Sequence, residues 1–283
     1  MAGRALGDGF IIRHGFGTEN TWYKPRYWHT GEDWYAQEGD TAGANVYAIA
    51  AGEVVYAGAN YPGRVALVRH SGDLGSMYGR LDPALSVRVG NTVARGALLG
   101  RVLRRGDDVP NHLHFELRTF VTTGVVNGDA PRYAFRCGPN CPPGPGYWPI
   151  ASPDLPAALG WRNPVHTIAR RMLPVDASGE AIVASQPMST SLALWSAPPD
   201  AAPEPLGELA LAPGTRYPLL AVWAGPEDSA VTSALAYALW YQLALPDGTR
   251  AWAAALAAST RDTGSDGRPS GVGFNLLPAV AAP

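Results

Sequence analysis

Six histidines punctuate the 283 residues, and two groupings of them have the types and spacing that chemistry needs. In NHLHFELR (111–118), His112 and His114 stand two positions apart inside an apolar run. Alternate side chains of an extended strand share a face, so the two imidazoles are expected to point the same way. In HTGED, His29 and Asp33 flank Gly31. An imidazole nitrogen and a carboxylate oxygen both suit Zn²⁺, at about 2.0–2.2 Å each, and the pair can converge on one ion from a loop entering a strand. One imidazole of the H-x-H pair would then complete a three-ligand site with a fourth position open, as catalytic zinc requires. The other would lie beside that open position, placed to take a proton or to hydrogen-bond developing charge. Taken singly, H-x-x-x-D is a common chance spacing and H-x-H can equally be the polar face of a strand. His14 and His166 fall outside both groupings and read as core or surface residues.

The elements that must position these residues read as short strands. NVYAIAAGEVVYAG, VALVRH, SMYGRLD, LSVRVGNTV, ALLGRVL and HLHFELR follow one another between glycine, aspartate and proline breaks, the pattern of an antiparallel sheet or sandwich. From 119 to 160 the pattern fails, and NGDAPRYAFRCGPNCPPGPGYWPIASPDLP reads as a long loop-like insertion. Cys137 and Cys141 lie within it; two cysteines cannot complete a structural zinc site, and a local disulfide clamping the loop is expected. GWRNPVHTIA resumes a short structured segment. Beyond about residue 175 the composition turns to Ala, Leu and Pro, with RYPLLAVWAG and ALWYQLALPDGTRAWAAA as strands and PDGT as a tight hairpin. The last stretch, 259–283, reads as a loosely docked tail.

Composition narrows the class. The 46% hydrophobic content is ample for a core, and 33 Gly with 26 Pro favour short strands and turns over long helices. A formal net charge of -2 with no Lys/Arg block excludes an electrostatic footprint for nucleic acid. No run reaches the ~20 apolar residues of a membrane span. MAGRALGDGF has no apolar core, so no signal peptide is expected in this chain.

In this order the motifs resemble a known family. WHTGEDW, VYAIAAGEVVYAG, YPGRVALVRH, SMYGRLD, VRVGNTVARGALLGRV and NHLHFELR, together about residues 26 to 118, look like the lysostaphin/LytM-type zinc metallopeptidases, which cleave peptide bonds of bacterial peptidoglycan. GWRNPVHTI resembles the family's closing segment after an insertion. The H-E-x-x-H helix of other zinc proteases is absent. The resemblance implies one Zn²⁺ per chain with His29, Asp33 and His114 as ligands, and His112 as a catalytic histidine beside the metal's water. It also implies a groove that holds an extended peptidoglycan peptide. His70, closing VALVRH, is structural by the same resemblance.

The sequence departs from the family at one place. The family's second catalytic histidine sits in a Tyr-x-His-Leu segment; here that segment is YGRL and the position is Arg80. A guanidinium is never a general base, but it can donate to an oxyanion. The expected activity is therefore a zinc metalloendopeptidase acting on peptidoglycan, with a catalytically impaired pseudo-peptidase that binds wall peptides or regulates another hydrolase as the alternative. A third reading, a wall- or carbohydrate-binding protein, rests on the C-terminal half. There LALAPGTRYPLLA and WYQLALPDGTRAWAAA faintly resemble bacterial SH3-like domains.

The expected fold is mainly β: an antiparallel sheet or sandwich peptidase core with a second, small SH3-like β-barrel. The expected divisions are 1–172 peptidase-like, 173–182 linker, 183–258 SH3-like and 259–283 tail. The chain is expected to work as an extracytoplasmic monomer, with wall peptide as its partner and no nucleic acid.

Overall fold

A computed structural model describes residues 8–19, 27–58, 64–72, 74–106, 109–127, 146–228, 237–259 and 271–280. Its strands are β1 (Phe10–His14), β2 (Tyr27–His29), β3 (Glu32–Ala36), β4 (Asn45–Tyr47), β5 (Gly52–Gly58), β6 (Arg64–Arg69) and β7 (Gly75–Leu81). β8 (Thr92–Val93), β9 (Leu98–Arg101), β10 (Leu113–Arg118), β11 (Tyr147–Pro149) and β12 (Trp161–Arg162) follow. The remainder are β13 (Ala177–Val183), β14 (Ser191–Trp195), β15 (Pro205–Ala210), β16 (Arg216–Ala224), β17 (Leu239–Ala244), β18 (Arg250–Ala254), β19 (Leu256–Ala258), β20 (Val272–Phe274) and β21 (Leu276–Val280). Two helices are described, α1 (Gly124–Asn127) and α2 (Pro164–Asp176).

The fold is mainly β and antiparallel, in two large sheet bodies. One sheet runs β19-β20-β1-β3-β10-β7-β6-β5-β8, with β12 added beside β10. The other runs β15-β14-β18-β17-β16-β13-β21. In the first, β6 shows why alternation is weak in sequence: Val65, Ala66, Leu67 and Val68 are all buried, so both faces of the strand are covered. In the second, alternation is clean. Leu239, Tyr241 and Leu243 face inward along β17, while Trp240 and Gln242 stay half-exposed.

The hairpin expected at PDGT joins β17 to β18. Gly248 adopts φ 85°, Leu245 N–H donates to Thr249 O at 2.8 Å, and the Asp247 carboxylate accepts from Thr249 N–H at 2.9 Å. By contrast, LSVRVGNTV yields only the two residues of β8. GWRNPVHTIA opens a helix. Asn163 caps α2 through its side-chain oxygen, which accepts from His166 N–H at 3.2 Å, and Pro164 takes the first helical position.

Two other stretches differ from their sequence reading. Within 119–160, Tyr147–Pro149 is not loop but strand β11, paired with β2 so that Tyr147 lies opposite His29. Cys137 and Cys141 lie outside the described residues. Within 259–283, residues 272–280 are strands: β20 lies between β1 and β19, and β21 pairs with β13. The expected linker 173–182 falls in the end of α2 and in β13.

The two bodies are tied at several points. Arg170 of α2 donates to the carbonyls of Ala224 and Gly225, and His166 Nδ1 donates to Pro226 O at 3.0 Å. The Tyr237 hydroxyl accepts from Phe16 N–H in the first sheet's loop.

Candidate metal centre

The sheet register assembles the centre. His14 on β1 pairs across to Asp33 on β3, Asp33 pairs to His114 on β10, and His114 pairs to Gly79 on β7. One row across the sheet thus carries an imidazole, a carboxylate and a second imidazole on neighbouring strands. His29 ends β2 and reaches the same spot because the chain turns tightly at Gly31. A Cβ on Gly31 would collide with the carbonyl of Phe115 and come within 2.8 Å of the Glu116 side chain, so the corner closes only with glycine.

Three donor atoms converge. His114 Nδ1 lies 2.9 Å from Asp33 Oδ1, His29 Nε2 lies 3.1 Å from His114 Nδ1, and His29 Nε2 lies 3.4 Å from Asp33 Oδ1. Ligands held at about 2.0–2.1 Å in a tetrahedron stand roughly 3.3–3.4 Å apart, so the triangle is close to the size an ion needs. His112 Nε2 stands 3.6 Å from the other oxygen, Asp33 Oδ2. These four sequence-predicted residues are brought together, each no more than 4% exposed.

The outer nitrogens explain the inner ones. His29 Nδ1 lies 3.1 Å from Gly15 O, and His112 Nδ1 lies 2.7 Å from Pro110 O. A carbonyl oxygen only accepts, so each of these nitrogens carries the proton, and the opposite nitrogen presents a lone pair to Asp33. His114 Nε2 donates to Glu116 Oε1 at 3.0 Å. Glu116 is held in turn by the Thr30 hydroxyl at 2.7 Å, Trp161 Nε1 at 2.9 Å and Arg118 at 3.3 Å. This carboxylate–histidine pairing is the outer support that metal-ligating histidines usually have.

Burial acts to raise the Asp33 pKa, but His112 and His29 outweigh it and hold the carboxyl well below its usual range. Burial acts to lower His114, yet its contacts with Asp33 and Glu116 prevail and lift it to about 9. His112 is lowered to about 4, first by burial and also by the Arg80 charge, so it is neutral at pH 7.

Arg80 is on β7, 5% exposed, with φ 62°. A left-handed backbone is uncommon for a side chain of this size and marks a position over-determined by its surroundings. Its neighbour Gly79 is the residue paired with His114, which sets Arg80 beside the row, and its charge acts on His112.

His14 belongs with this group, contrary to its reading as a residue outside the motifs. It is 8% exposed, its ring stacks on His29 at 4.3 Å and 6°, and its Nδ1 lies 3.8 Å from Asp33 Oδ2. His14, His29 and Asp33 offer donor atoms that all lie within 4.8 Å of one another. No local spacing signals this, because only the β1–β3 pairing brings position 14 to position 33. His70, by contrast, is engaged at both nitrogens, with Ala51 O at 2.9 Å and Ser76 Oγ at 2.7 Å. It sits in the fold's framework. Glu32 was also missed. It is buried, with a pKa pushed up to about 8 by burial, and it accepts from Trp34 Nε1 at 3.0 Å and Val165 N–H at 3.2 Å.

A buried histidine–carboxylate cluster whose donor atoms could hold a metal ion thus lies on an antiparallel sheet of a mainly β fold. The family model described as Peptidase family M23 matches residues 27–129. No curated protein matches the chain. Among solved structures, the catalytic domain of lysostaphin from Staphylococcus simulans is 27% identical; the match covers 37% of this chain and 77% of that one, with a TM-score of 0.32. Full lysostaphin is 14% identical over 96% of each chain, with a TM-score of 0.38. The catalytic domain of the prophage-encoded M23 protein EnpA from Enterococcus faecalis is 24% identical, covering 40% of this chain and 84% of that one, with a TM-score of 0.33.

Proposed function

We propose that this protein is a zinc-dependent metalloendopeptidase that hydrolyses peptide bonds of bacterial peptidoglycan. The observation that carries the reading is the triangle of His29 Nε2, Asp33 Oδ1 and His114 Nδ1, 2.9–3.4 Å on its edges. In two of its three members the lone pair is fixed by an outer hydrogen bond to an acceptor that cannot donate or is itself pinned. These three residues hold one Zn²⁺ per chain, which when bound supplies Lewis-acid polarisation and a nucleophile at neutral pH. His112 is the proton acceptor: it is neutral, its Nδ1–H is fixed on Pro110 O, and its buried Nε2 has no hydrogen-bond partner among the described residues. Arg80 donates to the oxyanion that forms on the scissile carbonyl. Glu116 keeps the His114 tautomer and ring orientation.

The chain divides, on this reading, near 173–182, between a peptidase-like part and an SH3-like part that attaches the enzyme to the wall outside the cytoplasm. In the second sheet Trp195 pairs with Trp252 and Trp223 with Trp240, setting four half-buried indoles on one face. Such rings suit a polymer surface. Among the described residues no helix is long and apolar enough to cross a membrane.

Arg80 favours one alternative, a zinc-loaded pseudo-peptidase that binds wall peptides without cutting. Arg80→His, assayed on purified peptidoglycan, separates the two. The peptidase reading expects wild-type cleavage that rises with the substitution, by up to the ~10²–10⁴-fold typical of a general acid–base group. Binding by both forms with cleavage by neither establishes the pseudo-peptidase.

A further inference from the structure

We propose that Tyr237, which enters from the second sheet body, is a positioning residue for the metal centre: its hydroxyl fixes the loop 15–18, which in turn fixes His29. The inference rests on the metal reading above and adds to it a contact from the far half of the chain.

The loop grips His29 at ring and backbone. His29 Nδ1 donates to Gly15 O at 3.1 Å, Gly17 N–H donates to His29 O at 2.8 Å, and His29 N–H donates to Thr18 O at 2.8 Å. The Thr18 hydroxyl donates to the same Gly15 oxygen at 2.8 Å. A ring whose proton is pinned on one carbonyl has its tautomer and tilt set by where that carbonyl stands. Whatever fixes the Gly15 oxygen therefore fixes the lone pair that His29 Nε2 offers to an ion.

Tyr237 acts on that oxygen through a single peptide unit. Phe16 is fully buried, and its N–H donates to the Tyr237 hydroxyl. This N–H and the Gly15 carbonyl belong to the same peptide group, which is planar and trans, so the two point in opposite directions from one rigid plate. One edge of the plate takes the His29 ring and the other gives to Tyr237. The same hydroxyl is hydrogen-bonded to the carboxyl of Glu32, the residue before Asp33. Glu32 is also anchored by Trp34 Nε1 at 3.0 Å and Val165 N–H at 3.2 Å. One phenolic oxygen thus bridges the loop that holds His29 and the strand that carries Asp33.

The backbone of Tyr237 marks the contact as specific. The residue is 6% exposed, and its φ of 63° lies in the left-handed region, uncommon for an aromatic side chain and kept only where the surroundings over-determine it. The coupling runs through this hydroxyl and not through the packing of the second sheet.

Zinc affinity of the full chain by chelator competition, with hydrogen exchange read at single sites by NMR, tests this. Tyr237→Phe keeps the ring and removes the hydroxyl. Its zinc binding is expected to weaken about tenfold, the low end for losing an outer partner of a ligand, and its His29 Nδ1 proton to exchange faster. Arg170→Met cuts a neighbouring tie between the bodies, to the carbonyls of Ala224 and Gly225, without touching the loop. It is expected to lower the thermal midpoint and leave zinc affinity unchanged. Tyr237→Phe binding zinc like wild type, or Arg170→Met weakening zinc as much as Tyr237→Phe does, overturns the assignment while the metal reading stands. If Tyr237→Phe does not fold, wild type decides, because coupling is reciprocal. Zinc should then slow exchange of the Gly225 amide, which donates at 2.9 Å to the oxygen of Ala238, next to Tyr237 in the chain; an unchanged rate overturns the assignment. If wild type takes up no zinc, both readings fall.

Discussion

The two sheets bury different things. At the β1–β3–β10 row the first sheet, joined by His29 from β2 and His112 just before β10, buries His14, His29, Asp33, His112, His114 and Glu116 in one cluster. At β14, β17 and β18 the second buries Leu192, Leu194, Leu239, Tyr241, Leu243, Ala251 and Ala253, and its ion pair Arg216–Glu180 stays at the surface. Burying polar and charged groups costs free energy unless they are paired, whereas burying aliphatic area contributes it. The first sheet therefore accepts a local cost to hold a site, and it is supported by apolar packing around that site. The second has no such cost and supplies stability.

The sharpest break of this contrast is a pair of truncations. His114→Ala should empty the centre: zinc content falls from about one per chain toward zero, and peptidoglycan cleavage drops by more than the ~10–100-fold usual for losing an outer partner of a ligand. Metal analysis and a turbidity assay read it. Leu243→Ala, on the buried face of the second sheet, should cost about 2–5 kcal/mol, seen as a lower thermal midpoint. The zinc content of the folded fraction should stay unchanged. If Leu243→Ala empties the centre, the two regions are not independent.

Glu116→Gln makes a smaller change in the first region. It removes the charge that accepts from His114 Nε2 while keeping the shape, and zinc affinity should fall about 10–100-fold with little change in secondary structure by circular dichroism.

The smallest effect is at the joint between the regions. Burial lowers the His166 pKa from 6.5 to about 4. A depressed folded pKa means that this group's contribution is complete above pH 6.5. It is lost as pH falls from 6.5 towards 4, because the unfolded chain takes the proton first. The thermal midpoint should drop across that window, and His166→Gln should flatten the drop. A steeper fall in the variant would show that His166 is not the group responsible.

Much of the fold was legible because its signals are local. Glycine breaks bounded β5, β6 and β7, and PDGT specified the β17–β18 hairpin. Local cues were also present for α2, where Asn163 and Pro164 are a cap and a first helical residue, but the short apolar pattern obscured them. β11, β20 and β21 carried no comparable cue. Their pairing partners β2, β1 and β13 are remote in the chain, and a strand of three to five residues is stabilised by its neighbour rather than by its own propensity.

At the centre the same division holds. The sequence by itself determined that His29 and Asp33, and His112 and His114, come as spaced pairs of metal-competent side chains, and that Arg80 stands in the segment YGRL. Those facts depend only on residue type and short spacing. Tertiary structure alone decided that the pairs meet within 2.9–3.4 Å, which nitrogen of each ring faces Asp33, and that His14 joins them. Each depends on strand register and on acceptors such as Gly15, Glu19 and Pro110, whose backbone carbonyls fix the tautomers whatever their side chains are.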